Sequence, residues 1–168
     1  MLELAINHKE KLNEEYRKII MLPEYRFACC FNYQEYDIKL ENNSYSKEQY
    51  VSISEGKING FLQAFINRQC NYVDELYIWG AIERDKRVYA NDLYKFLKGL
   101  YTRYDKIVFS CIQGNKTEKH YDRICKLFGG RIVGIFEEHV TTNDNVKRSQ
   151  KFYEVKSRVI SLDIGPKY

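Results

Sequence analysis

Two acidic residues, a basic turn and a tyrosine-bearing helix offer the clearest chemistry in this sequence. All lie between Tyr72 and Gly130. Asp74 and Glu75 fall within Tyr72-Val-Asp-Glu-Leu-Tyr-Ile-Trp-Gly80. That run reads as a strand, so their side chains point to opposite faces. A carboxylate beside an apolar crevice has a raised pKa and can accept a proton, as a general base must. Beyond the strand, Glu83-Arg-Asp-Lys-Arg87 supplies Arg84, Lys86 and Arg87 as charge-assisted donors to an anion. A second, almost wholly apolar strand, Ile107-Val-Phe-Ser-Cys-Ile112, ends at Gln113-Gly-Asn115. His120 and Tyr121 follow on a helix. No serine or cysteine stands in a nucleophile elbow, and there is no Walker turn or dinucleotide fingerprint.

The elements that position these residues read as strand, charged turn, helix, strand, helix. The first helix carries Val88, Leu93, Phe96, Leu97, Leu100 and Tyr104 on one stripe. The second is closed by Gly129-Gly130. Two strands bridged by a helix form a parallel crossover unit. Ligands of such sheets bind beyond the carboxyl ends of the strands, beside helix N-termini. Here those ends carry residues 83–87 and 113–115.

The bulk numbers bound the answer. A chain of 168 residues suits one domain with a real core. Hydrophobic content of 44% and charge of 30% are globular values. No apolar run reaches the ~20 residues of a membrane span, and the N-terminus lacks the pattern of a secretion signal. Five cysteines with no CxxC pair argue against zinc or a disulfide framework and for a reducing cytoplasm. Cys111 and Cys125 read as small core residues. The net charge of +4 is mild and interleaved, which is weak support for nucleic-acid binding. The 15 tyrosines read as strand and half-buried helix residues rather than base-stacking platforms.

Along the chain, residues 2–21 follow a helical period up to Pro23. Residues 26–31 fit a strand or a short helix, and 41–48 read as loop. Tyr50–Ser54 alternates like a half-buried strand, and Glu55-Gly56 is a tight turn. The return strand places Ile58, Gly60, Leu62, Ala64 and Ile66 on one face. Residues 131–136 and 151–155 form a terminal hairpin around a polar loop, followed by a peripheral tail from Ser157.

This order of elements resembles the GNAT superfamily of acyl-CoA-dependent N-acyltransferases over roughly residues 50–155. Gly56-Lys-Ile-Asn-Gly60 resembles the family's hairpin turn, and Leu76-Tyr-Ile78 the end of its fourth strand. Asn115 with its helix, and Gly129-Gly-Arg-Ile-Val-Gly134, are similar to later family segments. The overall look is that of small, divergent members from bacteria and their phages. One feature departs from the pattern. The family's Arg/Gln-x-x-Gly-x-Gly/Ala turn, whose amides cradle a pyrophosphate, is here Glu83-Arg-Asp-Lys-Arg-Val-Tyr-Ala90, with no glycine.

The resemblance implies a single α/β (α+β) domain over 1–168. Its sheet is mixed and mostly antiparallel, with a central parallel strand pair and helices on both faces. Residues 50–155 form the core and 1–49 an N-terminal helical part. It implies acetyl transfer from acetyl-CoA to an amine, small-molecule or protein, in the cytoplasm. The backbone of Leu76, Tyr77, Ile78 and Trp79 would hold the cofactor's pantetheine arm. Arg84, Lys86 and Arg87 would contact phosphate in place of the glycines. Asn115 would bond the arm or simply cap its helix. Glu75, ahead of Asp74, is the expected base. Tyr121, six residues after Asn115 and one short of the usual spacing, is the expected acid for the leaving thiolate. The alternative is a catalytically inactive GNAT-fold binding or regulatory module. Oligomeric state stays open, a homodimer among the options.

Overall fold

The computed structural model describes residues 1–23, 37–142 and 144–157. The stretch 26–31 and the tail beyond Ser157 lie outside the described residues. The elements are β1 (Leu2–Leu4), a 3-10 turn (Ala5–His8), α1 (Lys9–Ile20), β2 (Lys47–Ser54), β3 (Lys57–Asn67), β4 (Tyr72–Gly80), α2 (Lys86–Arg103), β5 (Lys106–Ile112), α3 (Glu118–Leu127), β6 (Arg131–Thr141) and β7 (Lys147–Lys156). They build one sheet in the order β1-β2-β3-β4-β5-β7-β6. Every neighbouring pair is antiparallel except β4 with β5. This is the mixed sheet with a central parallel pair that the sequence implies.

The sheet separates two apolar layers. On one face Leu62, Ala64, Val73 and Leu76 pack against Phe96, Leu97 and Leu100 of α2 and Cys125 of α3. On the other, Val51, Ile53, Ile58 and Phe61 pack against Leu12 of α1. Helices therefore cover both faces. No described helix is long and apolar enough to cross a membrane.

Local signals explain most boundaries. Glu55 and Gly56 both have positive φ, as a two-residue hairpin of the primed type requires. Gly129, at φ 66°, closes α3. Its amide bonds to Lys126 O, and that of Gly130 to Cys125 O, at 3.1 and 2.8 Å.

Three expectations need correction. The first residues are not helical: Leu2, Glu3 and Leu4 pair with Ser52, Val51 and Tyr50 as an edge strand. Residues 47 and 48 belong to β2 rather than to a loop. Finally, Ile58 does not share a face with Gly60 and Leu62. Ser52 pairs with Gly60 but Ile53 with Ile58, so Asn59 is the extra residue of a β-bulge. The bulge turns Ile58 to the α1 side with Phe61, while Leu62 and Ala64 face α2.

Charged clamps fix the helices. Glu48 is buried on β2 and accepts from Arg103 at 2.6 and 2.8 Å and from the Tyr104 hydroxyl at 2.9 Å. The Tyr104 phenol is pushed up to about 12 by burial and by that bond. Lys151 of β7 bonds Asp122 at 2.6 Å, and the Tyr153 hydroxyl bonds the same carboxylate at 2.8 Å. This second clamp seats α3, the helix that carries Tyr121.

Candidate functional site

β4 and β5 pair only through Tyr72 with Lys106 and Val73 with Ile107. Beyond Val73, β4 has no partner on β5, although its ladder with β3 continues to Gly80. Backbone groups of a strand point alternately to its two sides. Those of Leu76 to Gly80 that turn from β3 therefore open onto a wedge. A linear arm can lie in it as an additional strand.

A bulge in β4 sets which face each carboxylate takes. Ile66 pairs with Val73 and Phe65 with Glu75, so Asp74 is the extra residue. Leu76 and Ile78 face the α2–α3 layer. Tyr77 and Trp79 face α1. Glu75, two residues before Tyr77, shares their face and stands where the wedge begins. Glu75 keeps solvent exposure, but desolvation of its carboxyl by the neighbouring protein raises its pKa, and the charge of Asp74 raises it further. The Trp79 indole N–H is buried with no hydrogen-bond partner among the described residues. Leaving such a donor unmet costs about 1–3 kcal/mol.

Tyr121 lies on the opposite, α2–α3 side of the sheet. Its ring packs 5.8 Å from Phe109 and 6.4 Å from Tyr153. Burial, and then Cys111, push its phenol up, so it stays protonated. Tyr89, in the first turn of α2, is near enough that Tyr121 adds to the upward shift that burial imposes on its phenol. Its ring rests on Gly60, where an added Cβ would meet the ring and lie 2.5 Å from Trp79 O. Sequence reasoning passed over Tyr89, since a tyrosine in an amphipathic helix gives no hint of a glycine partner on a distant strand.

The turn between β4 and α2 differs most from expectation. Asp85 caps α2, accepting from the amides of Arg87 at 2.9 Å and Val88 at 3.0 Å. Its own amide bonds Asn59 Oδ1 at 2.8 Å. Arg84 folds back over Gly80 and donates to Ala81 O at 2.7 Å. Lys86 and Arg87 are exposed. An aspartate just before Lys86-Arg87-Val88 is a legible cap signal that the sequence reading left unused.

Asn115 Oδ1 accepts from Thr117 N at 2.9 Å and Thr117 Oγ1 at 2.8 Å, a local turn that leads into α3, whose N-cap is Thr117. Among the described residues, no group of three or more His, Cys, Asp or Glu is placed to hold a metal.

The residues fit an acyl-CoA in part. The wedge suits a pantetheine arm; Glu75 stands at its start on the α1 face, and Tyr121 packs against Phe109 of β5 on the other face. The N-terminus of α2 does not suit a pyrophosphate held by backbone amides, because a carboxylate already occupies two of them.

No protein-family model matches the sequence, and no curated protein matches it. Solved structures do. An N-acetyltransferase from Staphylococcus aureus Mu50 superposes with a TM-score of 0.66 at 12% identity, covering 94% of this chain and 98% of that one. The spermidine/spermine N-acetyltransferase SpeG from Vibrio cholerae gives 0.57 at 18% identity, covering 68% of each chain. Mycobacterium smegmatis RimJ, in complex with CoA-disulfide, gives 0.55 at 14% identity, covering 69% of this chain and 56% of that one. Together with the sheet order and the parted parallel strands, these likenesses show that this chain has the GNAT fold.

Proposed function

We propose that this protein is an N-acetyltransferase that takes its acyl group from acetyl-CoA and passes it to an amine. The observation that carries the reading is the separation of β4 from β5 after Val73 and Ile107. A paired β5 would cover the very backbone groups an arm needs. Two of the fold's bearers named above are N-acetyltransferases, and the third is in complex with CoA-disulfide.

Acetyl-CoA, when bound, supplies an activated thioester. The residues of this chain do the rest. The backbone of Leu76 to Gly80 orients the arm, and one of its amides polarises the carbonyl. Glu75, with its raised pKa and no cation paired to it among the described residues, accepts the proton of the amine. Tyr121, kept protonated by burial, gives a proton to the departing sulfur. On this reading, base and acid approach the arm from opposite faces of the sheet. Lys86 and Arg87 stand at the mouth as the phosphate contacts.

Calorimetric titration with acetyl-CoA, followed by mass detection of an acetylated amine, tests the proposal. Neither heat nor a rise in melting temperature at saturating acetyl-CoA would remove it. A second reading, a GNAT-fold binding module without acetyl-CoA, draws on one observation: the Asp85 carboxylate bonded to the amides of Arg87 and Val88.

A further inference from the structure

On the α1 face of the sheet lies a pocket of 220 Å³. Its apolar walls include Tyr16 of α1, Phe65 of β3 and Tyr77 of β4, with the buried amide of Gln63 between the strands. Phe65 is the cross-strand partner of Glu75, and Tyr77 is two residues along from Glu75. Same-face neighbours on a strand are about 7 Å apart. The carboxylate base thus stands at the pocket's edge.

The charges around the pocket are already matched. Asp37 pairs with Arg17, and Lys39 and Lys47 both pair with Glu41. Glu75 has no such partner among the described residues.

We infer that this pocket receives the acceptor as a small primary amine on a flat, apolar body, with the amine directed to Glu75. The inference rests on the acyl-transfer reading above. Three aromatic side chains bury a ring well and favour a cation at their faces. The volume lies below the roughly 300–1,000 Å³ of pockets for drug-sized ligands, so the occupant is small. A linear polyamine would meet two lysines and a single aspartate that Arg17 already holds. This lining disfavours the spermidine named for one structural neighbour.

The test titrates isotope-labelled full-length protein with phenethylamine, and separately with spermidine, without acetyl-CoA, and follows amide chemical shifts. The expected result is shifts at Gln63, Phe65 and Tyr77, with an affinity for phenethylamine at least tenfold above that for spermidine. Phe65→Ser should weaken phenethylamine binding at least tenfold, while Phe65→Tyr, which keeps the ring, should retain it even where the serine variant folds poorly. No shifts at these residues, or equal binding of spermidine, would overturn the inference. Acetyl-CoA is then added. Phenethylamine bound in the pocket but never acetylated keeps the pocket and removes acyl transfer. Acetylation with an unchanged KM in both Phe65 variants does the reverse.

Discussion

The carboxylate of Asp85 lies 3.0 Å from the amide nitrogen of Val88, inside the first turn of α2. That amide, with the one of Arg87, is the sort a helix N-terminus offers to an anion. In this chain the anion is built in. One negative charge about 4 Å from a phosphate in water costs about 1 kcal/mol. Asp85→Asn keeps an oxygen for the cap and removes the charge. Its affinity for acetyl-CoA, measured by calorimetry, should rise several-fold with little change in melting temperature. Asp85→Ala loses the cap and should cost about 1 kcal/mol of stability.

Glu75→Gln separates catalysis from stability. Turnover should fall by about a hundredfold or more, the usual scale of a lost general base. The sign for stability is opposite. A carboxylate whose pKa is raised in the fold is penalised whenever it is ionised, so it withholds stability at neutral pH. The glutamine variant should therefore melt level with the wild type or above it at pH 7. That difference should vanish below the ordinary value of 4.5, where Glu75 is neutral folded or unfolded. A variant that melts lower at pH 7 and keeps its turnover would show that Glu75 serves packing.

Tyr121→Phe should lower kcat by about a hundredfold and leave the dissociation constant of acetyl-CoA intact. The ring keeps its contacts with Phe109 and Tyr153, so the fold should not notice. Weakened cofactor binding instead would make the residue a packing element of the α2–α3 layer.

The Glu48–Arg103 clamp should respond unequally to the loss of either partner. Arg103 is about half exposed, whereas Glu48 is buried. Removing the arginine leaves a carboxylate in the sheet with only the Tyr104 hydroxyl. Breaking a buried pair this way costs about 3–5 kcal/mol. Glu48→Gln leaves a solvated arginine and should cost clearly less. Equal losses in urea melts of Arg103→Ala and Glu48→Gln would contradict this account.

Gly60→Ala reports on the packing between β3 and α2. The new methyl would meet the Tyr89 ring and the Trp79 carbonyl. Overpacking of this kind costs about 1–3 kcal/mol. The near-ultraviolet signal of Trp79 should change as well.

Much of this fold was legible in the residues. The order of elements, the hairpin at Glu55-Gly56 and the glycine close of α3 follow from period and turn chemistry. What the residues hid has two physical sources. One is the β-bulge. A single extra residue at Asn59 or Asp74 reverses which side every later side chain takes. Alternation alone therefore placed Ile58 on the wrong side and left Asp74 and Glu75 undecided. The other is length. Leu2-Glu-Leu4 is too short to show a period of its own, and only pairing with β2 makes it a strand. At the site, Glu75 and Tyr121 emerged as candidates. The folding back of Arg84 and the contact of Tyr89 with Gly60 depend on chain segments that meet only in three dimensions.

Only two residue pairs fasten the sheet's halves along the middle, with the bond from Asp105 N to Asn71 O at 3.0 Å beside them. On either side, β1–β4 and β5–β7 form antiparallel plates interrupted by bulges. The molecule is thus two plates riveted at one corner and strapped by α2, which touches both. Such a rivet permits rocking that breaks no ladder within either plate. Amide exchange should register it as alternation along residues 76–80, with slow protons on the β3 side and fast ones on the other.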